Sequence, residues 1–242
     1  MNKRPYLGRF FYQMSETRLF FLGILTVLTV SAQTPMNNSS EIDSLYLEDQ
    51  FYLVTQIGVI SSQTAPVINQ NLSYGFRSGF IKDIPLNSKR TFGIGWGIGF
   101  FTNALYTNLV ATKNADNDIV YSTEDLDFKR AKIGSFGIEI PVELRFRNST
   151  PSSYRFWRFY PGILLRYSPY SFSKVVRNSS DLRFLNSDLR SFMVSGGVSL
   201  GFNTFNLSLY YDLNDIFKEG GVLNNQPLMG RRLEIGLIFY IL

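Results

Sequence analysis

The chain has 242 residues, of which 45% are apolar and 16% aromatic, so it is too hydrophobic for a disordered protein and suits one domain with a leader. It contains neither cysteine nor histidine, which excludes disulfides and thiolate metal sites and removes the usual general base near neutral pH. The formal net charge of +5 is partly carried by residues near the N-terminus, and no basic tract indicates a nucleic-acid partner.

Residues 19–30 form a short apolar run, LFFLGILTVLTV, which follows a basic residue and precedes the small-residue sequence Val-Ser-Ala. Together these features are typical of a secretory signal peptide. We predict a signal peptide over residues 1–32, with cleavage between Ala32 and Gln33. A permanent membrane helix needs about 20 apolar residues, so an uncleaved anchor is the less favoured alternative. Met14 offers a second possible start of the leader.

Residues 33–50 are polar, rich in Asn and Ser, and turn acidic toward their end. A segment of this composition is typical of a tethered linker. We therefore predict a flexible lead-in on the periplasmic side, followed by one membrane domain over residues 51–242.

From Phe51 onward, large apolar residues alternate with polar or small residues. Alternation with a period of two is typical of strands that separate an apolar from a polar environment. In one such segment Ile138 and Ile140 share a face, and Glu139 and Glu143 share the other. The segments predict eight strands, at residues 51–61, 72–82, 91–101, 133–147, 155–168, 191–202, 205–213 and 231–242.

The third predicted strand places Gly93, Gly95, Gly97 and Gly99 on one face. Their spacing matches neither the dinucleotide fingerprint nor the phosphate-binding loop, and the residues between them are large and apolar. We interpret this face as the lining of a narrow barrel, in which opposing side chains need the space. The same lining is the motive for the alternative of a small channel.

The lengths of the connections show a second regularity. Short connections follow the second, fourth and sixth predicted strands, at residues 83–90, 148–154 and 203–204. Longer ones follow the first, third, fifth and seventh, at residues 62–71, 102–132, 169–190 and 214–230. Short turns at one end and long loops at the other are typical of bacterial outer-membrane barrels. We therefore predict an all-β, eight-stranded, antiparallel up-and-down transmembrane β-barrel with both termini in the periplasm.

The contents of the two strand faces favour a membrane over water as the surroundings. One face is almost continuously Leu, Ile, Val and Phe, and such a surface would aggregate in water but is stable against lipid. The other face carries ionisable residues among small ones, namely Arg77, Glu139, Glu143, Arg145, Arg158, Arg166, Asp212, Arg232 and Glu234. Aromatic residues near the strand ends are expected to form interfacial girdles, namely Phe51, Tyr74, Trp157, Tyr167, Tyr211 and Tyr240.

The inward-facing charges have two interpretations, an ion-pair network that fills the lumen or the lining of a conduit. Because side chains nearly fill the lumen of an eight-stranded barrel, we favour the network. Glu139 and Glu143 also have a spacing that suits paired-carboxylate catalysis. Neighbouring arginines are expected to keep both ionised, so we predict no catalytic residue and no cofactor.

The predicted loop between the third and fourth strands is rich in acids. These are Asp116, Asp118, Glu124, Asp125 and Asp127. Carboxylates suit a hard cation, but the loop lacks the spacing of an EF-hand. We therefore predict solvated loop charge and no metal site, with calcium binding by residues 113–130 as the weaker alternative.

Several segments resemble the PorT-like family of outer-membrane β-barrel proteins. They are GFIKDIPLNSKR at 79–90, IEIPVELRFRNSTPSSYRFWRFYPGILLRY at 138–167, YYDLNDIF at 210–217 and EIGLIFYIL at 234–242. The resemblance implies an eight-stranded barrel in the outer membrane of a Gram-negative cell envelope. Its namesake is linked to type IX protein secretion, and no catalytic residues come with it.

We therefore expect a non-enzymatic integral outer-membrane barrel that acts as a binding or accessory subunit of an envelope or secretion complex. Its expected partners are outer-membrane lipid and an unidentified envelope protein. The alternative is a small channel or ligand-transport barrel.

Overall fold

The computed structural model describes residues 49–62, 64, 66–123, 128–148, 156–178, 180–202 and 205–241. The predicted signal peptide and nearly all of the lead-in lie outside the described residues. Within the part of the chain that the structure describes, no helix has the length and apolar character to cross a membrane.

Eight of the described strands form one closed sheet. They are β1 (Asp49–Ser62), β2 (Ser73–Pro85), β3 (Phe92–Thr107), β4 (Phe128–Arg147), β5 (Trp157–Arg177), β6 (Phe192–Phe202), β7 (Phe205–Asp212) and β8 (Gly230–Ile241). Each strand pairs antiparallel with the next one in the chain, and β1 pairs with β8. This confirms the prediction of an eight-stranded antiparallel barrel.

The alternation of the sequence becomes an alternation of burial. In β7 the pattern is strict, with Phe205, Leu207 and Leu209 exposed and Asn206 and Ser208 buried between them. Because successive side chains of a strand point to opposite faces, the apolar set lies on the outside of the barrel and the polar set inside it.

The pairing of β6 with β7 has the register that the alternation requires. Phe202 lies opposite Phe205, and both are exposed on the outer face. Since opposite residues share a face of the sheet, this pair confirms the phase predicted for both strands.

The strands are longer than predicted at the end of the long loops. β3 continues to Thr107 and β5 to Arg177, and strand Asp181–Leu185 pairs with the end of β5. Strands Val110–Lys113 and Ile119–Ser122 form a hairpin inside the predicted loop 102–132. The connections are therefore shorter than the predicted ranges 102–132 and 169–190, and both ranges contain strands.

An irregularity in β5 explains why the period-two pattern ended there. Ser168 and Ser173 are both buried although they differ in parity, so the inward set changes phase between them. The Ser168 hydroxyl lies 3.0 Å from the Ser171 hydroxyl and donates to the Phe136 carbonyl at 3.1 Å. A shift of one residue reverses every later side chain, and this hides the rest of the strand from a period-two analysis.

Glycines in β3 make room inside the barrel. A Cβ on Gly99 would lie 2.0 Å from the Tyr52 hydroxyl, and one on Gly95 would lie 2.4 Å from Arg145 Nε. These contacts agree with the prediction that glycine lining accommodates opposing side chains.

Candidate functional site

The barrel interior contains nearly all of the predicted inward charges. Arg77, Glu139, Glu143, Arg145, Arg166, Asp212, Arg232 and Glu234 are buried. Arg158 has the same parity but is only half-buried, with its guanidinium 4.2 Å from the centroid of the Phe156 ring. The structure therefore brings eight of the nine predicted residues into the buried interior.

Glu139, from β4, lies at the centre of the network. Its Oε1 is 3.1 Å from Arg77 Nε and accepts a hydrogen bond of 2.8 Å from the Tyr52 hydroxyl. Its Oε2 is 3.4 Å from Arg166 Nε. One carboxylate from β4 thus joins residues from β1, β2 and β5.

Arg166, from β5, extends the network to the far side of the barrel. Its Nη2 is 2.6 Å from Glu234 Oε2, and its Nη1 is 3.8 Å from Asp212 Oδ1. Arg232 lies between the same two acids, with Nε 3.0 Å from Glu234 Oε1 and Nη2 3.3 Å from Asp212 Oδ2. The Ser195 hydroxyl donates to Asp212 Oδ1 at 2.7 Å.

A second group of charges lies nearer the short turns. Arg145 Nη1 is 3.1 Å from Asp83 Oδ2, and Arg145 Nη2 is 3.2 Å from Glu143 Oε2. Arg147 also pairs with Asp83, and its Nε donates to the Arg90 carbonyl at 2.6 Å. The carboxylates of Glu139 and Glu143 thus have different principal partners, which disfavours the paired-carboxylate interpretation.

Sequence reasoning missed part of this second group. The alternation predicts that β2 ends at residue 82, which places Asp83 in a turn, whereas the strand continues to Pro85. Arg147 has the inward parity of its strand, and the alternation places it on the inner face although it is not among the nine predicted lumen charges. Tyr52 also has the inward parity of its strand, although the alternation does not predict its hydrogen bond to Glu139.

The buried charges balance. Among the described residues, the buried acids are Asp83, Glu139, Glu143, Asp212 and Glu234. The buried bases are Arg77, Arg145, Arg147, Arg166 and Arg232. An unpaired buried charge is costly, so a neutral, mutually paired set is the arrangement that a closed interior tolerates. Chemically, each carboxylate is held as an ion-pair partner.

Small cavities lie among the described inward-facing side chains. One cavity of about 30 Å³ is lined by Asn103, Ser168, Met193 and Arg232, among other residues, and another of about 10 Å³ adjoins Arg77. A single water needs a cavity of roughly 10–15 Å³. The two cavities therefore have room for isolated waters rather than for a continuous path.

The longer connections lie at the end of the barrel opposite the short turns. They pack together there and form a cap with its own apolar core. The cap core contains Ile60, Val67, Leu105, Leu109, Ala111, Tyr121, Ile133, Leu189, Met193, Ile216, Phe217, Leu223 and Leu228. Within it, the Asn186 amide donates to the Tyr121 hydroxyl at 3.0 Å, and burial raises the pKa of that tyrosine. The loops are thus tied together by packing.

The predicted girdle residues lie on the outer face with one exception. Phe51, Tyr74, Trp157, Tyr167 and Tyr211 are exposed. Tyr240 instead packs inside the barrel, where its ring centroid lies 5.6 Å from the Arg145 guanidinium and 6.4 Å from the Tyr160 ring. Its parity is that of Arg232 and Glu234, so its assignment to a girdle is wrong.

The acidic loop is described in part. Asp116 and Asp118 are exposed, and the Asn114 side-chain oxygen accepts from their backbone N–H groups at 3.0 and 2.8 Å. Glu124, Asp125 and Asp127 lie outside the described residues. In the described part of the chain no group of acids has the arrangement of a metal site.

The chain is similar to known outer-membrane barrels in sequence and in structure. Residues 31–218 match the family model described as outer membrane protein beta-barrel domain. No curated protein matches the chain. The structure is similar to that of Ail, the attachment invasion locus protein of Yersinia pestis, with 10% identity over 80% of this chain and 98% of that one, at a TM-score of 0.34. It is also similar to the structure of Ail in complex with the heparin analogue sucrose octasulfate, with 9% identity over 80% of this chain and 98% of that one, at a TM-score of 0.36.

The network predicts that Glu139→Gln destabilises the barrel. The substitution removes the negative charge that Arg77 and Arg166 share, while both arginines stay buried. Removing one partner of a buried ion pair costs about 3–5 kcal/mol. The measurement is the temperature at which the folded band disappears in a heat-shift gel.

The matched control is Glu219→Gln, which removes one negative charge from an exposed position. It should leave the transition unchanged. The double variant R77Q/E139Q should lose less than the sum of its single variants, since they share one ion pair. Equal transitions for E139Q and E219Q would contradict the assignment.

Proposed function

The chain belongs to the family of outer membrane protein beta-barrel domains, and from this premise we propose that it is a non-enzymatic accessory subunit that binds a protein partner in the cell envelope. Its place is the outer membrane. The binding surface in this proposal is the cap, and the barrel holds the cap at the membrane.

The observation that carries the proposal is a set of exposed apolar side chains on the cap, named here the apolar patch. Val120 is 47% exposed and Val222 is 46% exposed, although strands Ile119–Ser122 and Val222–Leu223 contact each other. Met229, in the same loop as Val222, is 37% exposed. Loops that bury a core and still present apolar side chains have the character of an interaction surface.

The interior supports a binding role over the alternative of a channel or ligand-transport barrel. A conduit needs a continuous polar path, whereas the described interior holds paired charges, and the cavities beside Arg77 and Arg232 are small. The absence of histidine and the pairing of the buried carboxylates support a non-enzymatic role. The resemblance to the PorT-like family is the support for placing the partner in a secretion complex.

We further propose that both termini lie in the periplasm and that the cap faces the cell exterior. The support is the sorting of connections, because the turn between β2 and β3 is short while the cap contains the longer loops. Cleavage of the leader between Ala32 and Gln33 belongs to the same proposal, as does a girdle role for the five exposed aromatic residues.

The orientation predicts which end of the barrel is reached from outside the cell. Because the natural chain has no cysteine, single variants D116C and S88C can be labelled selectively with a membrane-impermeant maleimide. Asp116 lies in the cap hairpin and Ser88 in the turn between β2 and β3, and both are exposed. On intact cells D116C should be labelled, and S88C only after the outer membrane is permeabilised. The reverse pattern would overturn the orientation.

The partner surface predicts a position-specific crosslink. A photo-crosslinking residue at Val222 should give one discrete adduct on illumination of intact cells, because this position lies in the apolar patch of the cap. The matched control is Phe100, which is 59% exposed on the lipid-facing surface and should give no protein adduct. Adducts at both positions, or at neither, would count against a partner bound to the cap.

A further inference from the structure

We propose that a row of cations on the outer surface of the barrel binds the phosphate groups of the glycolipid in the outer leaflet of the outer membrane. The row consists of Lys132 on β4, Lys174 on β5 and Arg183 on strand Asp181–Leu185. This inference rests on the proposed orientation, in which the cap end of the barrel faces the cell exterior.

The strand register places the three cations in one line. Lys132 lies opposite Lys174, and Lys174 lies opposite Arg183. Residues directly opposite one another in an antiparallel sheet share a face, with Cβ atoms about 4.5–5.5 Å apart, and like charges in such pairs repel. An anion held along the row would remove this repulsion.

The row points away from the barrel interior. Ala131 and Ile133, the neighbours of Lys132, are buried, as are Ser173 and Val175, the neighbours of Lys174. Since side chains alternate along a strand, the two lysines project from the outer surface.

An aromatic ring holds two of the cations in place. The Arg183 guanidinium lies 4.2 Å from the centroid of the Phe172 ring, and Lys132 Nζ lies 5.6 Å from it. Arg183 Nη2 also donates to the Tyr170 hydroxyl at 3.2 Å. Phe172 covers Gly134, where a Cβ would lie 2.3 Å from the ring. The sequence thus leaves space for a ring that orders the cations before any ligand binds.

A second ring extends the same arrangement around the barrel. Arg130 Cζ lies 5.7 Å and Lys132 Nζ 5.9 Å from the centroid of the Tyr106 ring. The bases of this surface therefore belong to three adjacent strands and lie over rings that form part of the outer wall.

The depth of the row matches the headgroup region of a membrane. Four residues from Lys132 along β4, beyond the pair of Gly134 and Phe172, Phe136 pairs with Tyr170, and the two are 50% and 40% exposed on the apolar outer face. Aromatic side chains concentrate at the level where hydrocarbon meets the headgroups. The cations lie two residue pairs further toward the cap, at a level that suits lipid phosphates.

The row of three cations keeps a net positive charge beside its acidic neighbour, Asp181. Lys174 Nζ lies 2.9 Å from Asp181 Oδ2, and the two side chains are 32% and 53% exposed. Among the described residues, Asp181 is the acid that forms an ion pair with the row. An exposed pair of this kind contributes little, so a multiply charged phosphate group can compete for the lysine.

The test is binding of lipid A, the phosphorylated anchor of that glycolipid, to the purified full-length protein in detergent, followed by native mass spectrometry. Lipid A should bind roughly tenfold more tightly than its enzymatically dephosphorylated form. The variant K132Q/K174Q should lose this preference while keeping the heat-shift of a folded barrel.

The matched control is K82Q/K89Q, which removes two exposed lysines near the short turns and should retain the preference for lipid A. Inorganic phosphate in excess should not displace lipid A, because the row recognises phosphate on a molecule whose chains lie along the apolar wall. Displacement by free phosphate, or equal binding of both forms of lipid A, would overturn the proposal. The crosslink at Val222 would be unaffected by either outcome, so the two proposals fail separately.

Discussion

The hydrogen-bonded seam between β1 and β8 is the constraint on which the rest of the molecule depends. It runs from Phe51 opposite Ile241 to Ser62 opposite Gly230 and leaves no open edge between the two strands. In hydrocarbon every backbone donor and acceptor must be satisfied within the protein, and closure of the sheet achieves this. Closure also divides the side chains of each strand into a lipid-facing set and an enclosed set.

The enclosed set contains buried charges, which must compensate one another. The buried arginines and acids are equal in number among the described residues. Glu139 pairs with Arg77, and Arg166 pairs with Glu234, across strands that are not neighbours in the sheet. Such pairs are a poor source of stability relative to apolar packing, but each arginine left without its acid would be strongly destabilising. The network therefore fixes how the strands are arranged around the lumen, and the cap adds an apolar core above it.

The strand faces could be predicted from the sequence because lipid on one side enforces a strict period of two. The same rule locates eight buried charged residues. Applied to Tyr240 it also gives the inner face, and the girdle assignment is wrong because it rests on aromatic composition rather than on parity. The continuation of β5 past Ser168 was not predictable, because a local irregularity reverses the faces. The cap core and the cation row depend on contacts between distant loops and on strand register, which the periodicity of single segments does not contain.

We propose that the protein acts through its surfaces, because paired side chains occupy the described interior of the barrel. The most direct measurement is the current across a planar lipid bilayer containing the purified protein in its folded form. We expect no stepwise conductance above that of the bare bilayer, because paired charges occupy the lumen and the cap lies above it. Reproducible single-channel steps from the folded wild-type protein would contradict it.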